Sequence, residues 1–289
     1  MTTFQRFLNV ASTFQAGTVL IDNTDGEGLH MTWSGVRTMS PEPDQCEVRI
    51  ANMSLANRKL VSEQMRNFAP FKGTLMQGWD GLAHLLMFAE IYDIVPDDRE
   101  DPTTTWTTFR MGENMEGYRD GVVSTSIGDV DAVLLANLIV KGMSIEIDAN
   151  NLAVIQSAVP GSKMTEFKNG AVIMGAARDR MNELMGMLKL RWTVQNGHAV
   201  IVPAGQPVLG QAVVLTPHNG LLKWKVERDG SIALTCLSTP SIVPGKQLIV
   251  QDENLMNVGE IAYRVSTVTF AGDSRLGAQM QLEARSDLL

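Results

Sequence analysis

The groups in this sequence best suited to chemistry are its clustered carboxylates. Asp22-Asn23-Thr24-Asp25-Gly26-Glu27 has the composition of a calcium loop, and Asp97-Asp98-Arg99-Glu100-Asp101-Pro102 crowds four acids into one short stretch. A calcium loop needs oxygen ligands at fixed alternate positions, and Thr24 stands where the third-position ligand belongs. The second cluster has the composition to hold a cation or to supply an acid/base pair. Nothing apolar beside it in sequence would raise a carboxyl pKa, so it reads as a solvated loop or a loop at a subunit contact. The four histidines, His30, His84, His198 and His218, are isolated from one another and from cysteine at metal-ligand spacing. Cys46 and Cys236 fall on apolar faces, where a thiolate is disfavoured, and read as small buried hydrophobes in a reducing compartment rather than as a disulfide. Gly245-Lys246 is followed by Gln247 and lacks the glycine spacing of a phosphate loop, and Gly26 and Gly28 begin a dinucleotide pattern that nothing completes. The sequence therefore predicts no catalytic residue, no cofactor-binding residue, no metal ligand and no cofactor.

The chain has 289 residues and a net charge of −8. That length holds two or three domains with a sizeable core, and that charge argues against a basic nucleic-acid-binding face. Apolar runs such as Leu85 to Ala89 are far too short to span a bilayer. The residues around Arg6 are broken by Asn9, Ser12 and Thr13 and make a poor signal peptide, so the expectation is a protein made and assembled in the cytoplasm.

The elements that must position any surface are mostly strands. In the last quarter, Leu222, Trp224 and Val226 alternate with Lys223, Lys225 and Glu227, and the chain turns at Arg228-Asp229-Gly230. Ile232, Leu234 and Cys236 then return beside the first strand. Pro244-Gly245 turns into Gln247 to Gln251. Ile261, Tyr263 and Val265 form another period-2 strand, and Met280 and Leu282 the last. Short strands at this spacing close into a small barrel or sandwich.

The first part is similar in style. A lead-in strand precedes Thr18 to Ile21. Leu29, Met31 and Trp33 alternate in a strand, Val36 to Pro43 reads as a loop, and Cys46, Val48 and Ile50 face inward. A helix starts at Ser54, with Val61, Met65 and Phe68 on one face, and Pro70 ends it. Strands follow over Thr74 to Trp79, Leu82 to Val95 and Thr104 to Met111. The middle part changes character. A helix is predicted over Asp129 to Lys141 with Val130, Leu134 and Leu138 inward and Gly142 at its end. A short strand holds Ile145 and Ile147. A second helix is predicted over Ala171 to Lys189, with Met174, Ala177, Met181, Leu184 and Leu188 inward, followed by a hairpin turning at Asn196-Gly197. The fold class is thus α+β and β-rich: a first β domain with one embedded helix over residues 1–121, a small α+β module over 122–205, and a second β domain over 206–289. Most of the seventeen methionines sit at core positions. Met181, Met185 and Met187 exceed what one stripe needs and suggest some contact with a partner. Trp79, Trp106 and Trp224 are the aromatic candidates for a partner surface.

Leu237-Ser-Thr-Pro240-Ser-Ile242-Val-Pro244-Gly245-Lys-Gln-Leu248, Gly259-Glu-Ile-Ala-Tyr263-Arg-Val265 and Gly272-Asp273-Ser274-Arg275-Leu-Gly277 together resemble stretches of phage baseplate hub proteins, the hub and late-control proteins at the tip of the tail tube. Cys46 to Ser54 resembles that family's first-domain strand running into a short helix, and Trp192 to Val200 its later hairpin. The resemblance implies two tail-tube-like β domains bridged by the α+β module, with strands exchanged between domains as one arrangement. It also implies a homotrimer whose six β domains form a pseudo-sixfold ring. Such a ring would join a sixfold tail tube, or a tube-initiator ring, to a threefold central spike. The further partners implied are a tape-measure protein and DNA in transit through the channel, which an acidic surface would not retain. The resemblance places the protein in the virion at the tail tip or baseplate, with no membrane insertion. Two alternatives compete. A tail-associated cell-wall hydrolase would need two carboxylates across a cleft, which no pair here supplies. A hexameric tail-tube or minor tail protein would share the fold class.

Overall fold

A computed structural model describes residues 6–14, 17–22, 29–66, 71–79, 82–99, 103–128, 131–159, 171–208, 212–252 and 262–286. The first part contributes β1 (Arg6–Phe14), β2 (Gly17–Asp22), β3 (Met31–Thr38), β4 (Gln45–Ala51), α1 (Leu55–Arg66), β5 (Phe71–Trp79), β6 (Leu82–Arg99) and β7 (Thr105–Gly112). The middle contributes α2 (Met115–Asp120), β8 (Val122–Ile127), α3 (Ala132–Gly142), β9 (Glu146–Ile147), α4 (Ala149–Ala158), β10 (Ala171–Ala176), α5 (Ala177–Met187), β11 (Leu190–Gln195) and β12 (His198–Pro203). The last part contributes β13 (Val213–Leu215), β14 (Leu221–Val226), β15 (Ile232–Leu237), β16 (Gln247–Val250), β17 (Ala262–Asp273) and β18 (Gly277–Ser286).

The first and last parts share one sheet. Its strand order is β14-β15-β18-β17-β3-β4-β7-β6-β5-β1-β2, with β13 and β16 attached at the side. The seam is the antiparallel pairing of β17 with β3, from Thr267 opposite Thr38 to Asp273 opposite Thr32. A strand has two edges. β18 occupies one edge of β17, so β16 and β3 must share the other end to end: β16 pairs Ala262–Arg264, and β3 pairs from Thr267 onward. A bulge between Val265 and Thr267 marks the changeover, where added twist is expected. The sheet curls strongly. The buried Ser238, beyond β15, donates to Gln77 of β5 at 2.8 Å, although seven other strand-to-strand steps separate them along the sheet. One apolar cluster fills the curl, drawing Val48, Ile50, Leu86 and Phe109 from the first part and Cys236, Leu248, Val268, Phe270 and Met280 from the last.

The middle part has its own core of Leu135, Ile139, Met143, Ile155, Met181, Leu184 and Trp192. Asp131 and Asp148 cap α3 and α4 by accepting from the amides of Val133 and Asn151. The β11–β12 hairpin turns at Asn196 and Gly197, both at positive φ, which Asn and Gly tolerate best.

Several expectations need correction. The predicted helix over Ala171 to Lys189 is a strand and then a helix: β10 pairs with β8, and Gly175 sits at φ +125°, which a helix forbids. Met174 is consequently exposed. On α3 the inward residues are Leu135, Ala136, Ile139 and Val140, with Leu134 exposed, so the buried stripe is rotated from the one expected. Gly142 is the last helical residue, and Met143 follows as the cap. β3 runs on through Val36 and Thr38 instead of looping there. β6 continues past Val95 to Arg99 across a bulge between Val95 and Asp98, which accommodates Pro96 without a ladder hydrogen bond. The acidic stretch is therefore partly strand, while residues 100–102 lie outside the described residues, as do 23–28 of the first acidic turn. Leu222 and Val226 are exposed and Leu221 is the buried partner, because a bulge between Leu221 and Lys223 shifts the register.

Candidate functional site: a polar sheet face and a buried charged junction

One face of the sheet carries the core, and the other carries a continuous polar surface. The register shows how it is built. Lys223, Thr235, Gln281, Thr269, Val36 and Gln45 stand side by side on β14, β15, β18, β17, β3 and β4. The next row is Leu237, Gln279, Ala271, Ser34, Glu47, Arg110 and Asp93, reaching β7 and β6. On the other side run Lys225, Ala233, Glu283, Thr267 and Thr38. All are exposed or half-buried. Alternation places these residues on one face and Val268, Phe270, Met280 and Leu282 on the other. The surface crosses the β17–β3 seam without interruption. It spans about 34 Å of arc over eight strands at a spacing of about 4.8 Å.

Charges on this face are interleaved. Arg110 donates to Asp93 at 2.8 Å and to Glu47 at 3.4 Å, and Lys225 pairs with Glu227 at 2.7 Å. Two open grooves of about 480 and 310 Å³ lie on it, the first bordered by Ser34, Gln45, Tyr92 and Arg110, the second by Lys223, Thr269 and Gln281. Trp106 closes one end beneath the Arg49 guanidinium at 4.8 Å and the edge of the His30 ring at 5.2 Å. His30 in turn meets Asp273 at 2.8 Å across the seam. Asp273 also accepts from the amides of Arg275 and Leu276, which fixes the β17–β18 turn. Partial burial works to raise the Asp273 carboxyl. The hydrogen bonds from His30 and those two amides outweigh it and hold the group below its ordinary value.

The second feature is a buried charged junction. Arg37 on β3 reaches Asp44 at 3.4 Å, Glu113 at 3.3 Å and the Leu86 carbonyl at 3.3 Å. Arg37, Asp44 and Glu113 are 2%, 3% and 0% exposed. Glu113 also accepts from the Asn196 amide at 3.0 Å, and the Asn196 side chain accepts from the Phe88 amide at 3.2 Å. Gln195 donates to the Pro244 carbonyl and Thr193 to the Thr38 carbonyl. The β11–β12 hairpin of the middle module is thus seated against both the first and the last parts of the chain. Burial pushes Glu113 up to about 8 and Asp44 up to about 6, against the attraction of Arg37.

The residues singled out in sequence are dispersed. His84 and His218 are exposed, and His198 lies 3.9 Å from Glu146. Cys46 and Cys236 are buried, free and far from ionising, both pushed up to about 12 by burial. Trp106 is buried, and Trp224 is half-buried with its indole N–H on Asp252 at 2.7 Å. Neither is a free partner surface, and the Trp79 side chain lies outside the described residues. Met181 and Met185 are core, while Met187 is exposed. Among the described residues no group of three His, Cys, Asp or Glu side chains is placed to hold a metal ion, and no helix is long and apolar enough to cross a membrane. Arg37 and Glu113 had no local signal in sequence, because the partners that bury them come from remote segments.

This curled sheet with its packed α+β module has the fold of solved phage tail proteins. The chain is similar to the 43 kDa tail protein of prophage MuSo2 from Shewanella oneidensis, with 10% identity and a TM-score of 0.61 over 96% of this chain and 97% of that one. It is similar to a tail protein from Neisseria meningitidis MC58 at 10% identity and TM-score 0.57, covering 97% of each chain. It is also similar to the E. coli c3393 protein at 9% identity and TM-score 0.55, covering 89% of this chain and 73% of that one. That protein is a component of the type VI secretion system with structural similarity to the T4 bacteriophage tail proteins gp27 and gp5. No protein-family model and no curated sequence matches the chain.

Proposed function

We propose that this protein is a structural hub at the tip of a phage-type tail. Three copies associate into a ring of six β units, with residues 1–121 and 206–289 of each chain as neighbouring units and 122–205 bridging them. The ring joins a sixfold tail tube to a threefold spike, starts tube assembly, and leaves an axial channel for DNA. The observation that carries this reading is the uncovered polar face. A sheet whose second face is largely polar and carries charges of both signs over eight strands is suited to line a water-filled passage. Two of its cations, Arg110 and Lys225, are already paired with carboxylates, which weakens its grip on a passing polyanion.

A non-enzymatic role fits the same face. Glu47 and Asp93 on it are both taken up in ion pairs with Arg110, at 3.4 and 2.8 Å. The mass of the native assembly tests the proposal. A particle of three chains with a central hole supports the hub. Six chains support a tube protein, and turnover of purified peptidoglycan supports a hydrolase. Either of these last two results overturns the hub reading.

A further inference from the structure

The buried junction contains one guanidinium and two carboxylates. With both acids ionised, the interior between the sheet and the middle module holds one uncompensated negative charge, a costly arrangement in a site with almost no water contact. Arg37 cannot cancel it, because Arg37 is already shared between Asp44 and Glu113 at 3.4 and 3.3 Å. The junction is also where the module is held. The Asn196 amide ends on Glu113, and Asn196 is tied to β6 through the Phe88 amide.

We propose that Arg37, Asp44 and Glu113 form a proton-dependent latch that holds the β11–β12 turn on the sheet when one acid carries a proton and releases it when both acids are ionised. The charged and titratable groups facing Glu113 are Arg37 from β3, Asp44 from the segment before β4, and Cys46 from β4, whose thiol stays neutral. Ionisation strengthens the hydrogen bond from Asn196. The desolvation of a fully buried carboxylate outweighs that gain, and Glu113 accordingly keeps its proton up to about pH 8. The closed junction binds a proton that the opened, solvated one gives up near the ordinary value of 4.5. Closure is therefore fully favoured below that pH and is progressively lost as pH rises through about 8.

Hydrogen–deuterium exchange of the intact protein, corrected for intrinsic rates, tests the latch. Between pH 6 and 8 the opening ratio of peptides across residues 193–200 should rise about tenfold per pH unit and then level off. Peptides from β15 and β18 serve as the reference and should change far less. Glu113→Gln, which cannot titrate, should flatten the profile. Asp44→Asn frees Arg37 for Glu113 alone and should also flatten the profile over this range, by moving the transition to lower pH. A flat wild-type profile, or a slope that persists unchanged in either folded variant, overturns the proposal.

Discussion

Phe270 lies over Gly35 at the β17–β3 seam, and two residues along the same pairing Trp33 lies over Gly272. Each aromatic ring occupies the space that a side chain on the opposite strand would need. A Cβ on Gly35 would collide with the Phe270 ring and would sit 2.7 Å from the Cβ of Cys46. Two reciprocal ring-over-glycine pairs thus fix the register of the one strand pairing that, among the described residues, joins the first part of the chain to the last.

Substitution at this seam should be costly in proportion to what it displaces. Gly35→Ala overpacks a closed site and should lose about 1–3 kcal/mol. Phe270→Ala, at a side chain 1% exposed, should lose about 3–5 kcal/mol. Urea unfolding of both variants gives the comparison, and a Gly35→Ala variant as stable as the parent would contradict the packing described.

The turn held by Asp273 should weaken in acid. Its folded-state pKa is depressed, so the stability it contributes is present above the ordinary carboxylate value of 3.8 and is lost as pH falls below it. Asp273→Ala removes the acceptor for His30 and two amides. It should cost about 1–3 kcal/mol at neutral pH and should abolish this part of the acid dependence.

The polar face should tolerate charge without loss of fold. Thr269→Lys with Gln281→Lys sets two like charges opposite each other on neighbouring strands and should cost no more than about 1 kcal/mol. If the face lines a DNA passage, the assembled double variant should retain duplex DNA at low salt and release it as salt rises. The parent assembly should not retain it. Equal retention by both, in a gel-shift series over salt, would count against that role.

Cys46 and Cys236 should resist alkylation in the native protein, since both thiols are buried and pushed up to about 12. Both should react together on unfolding. Rapid labelling of either at neutral pH would show that its strand opens locally.

Sequence was informative where structure is local. Period-2 runs located β4, β15, β17 and β18, and Asn196-Gly197 located the hairpin turn. Ser54 was correctly placed as the cap of α1, accepting from the Asn57 amide. Helix α4 has a local signal in its cap Asp148, and Gly175 with Val172 and Ile173 argues for a strand inside an apparent helical run. The β17–β3 seam left no such mark. Its residues lie far apart in the chain, His30 and Asp273 being 243 positions distant, and alternation says which way a side chain faces but not which strand lies beside it. The same holds for Arg37 and Glu113, whose burial depends on three segments meeting.

The seam also governs when the subunit can exist. Strand β3 is made long before β17, and the edge the two share stays empty until β17 has left the ribosome. Non-local pairings of this kind form late. Until then a nascent or truncated product exposes a bare strand edge, a hazard for mispairing. A curl bolted shut by Ser238 and Gln77 therefore closes only once both ends of the sheet have been made.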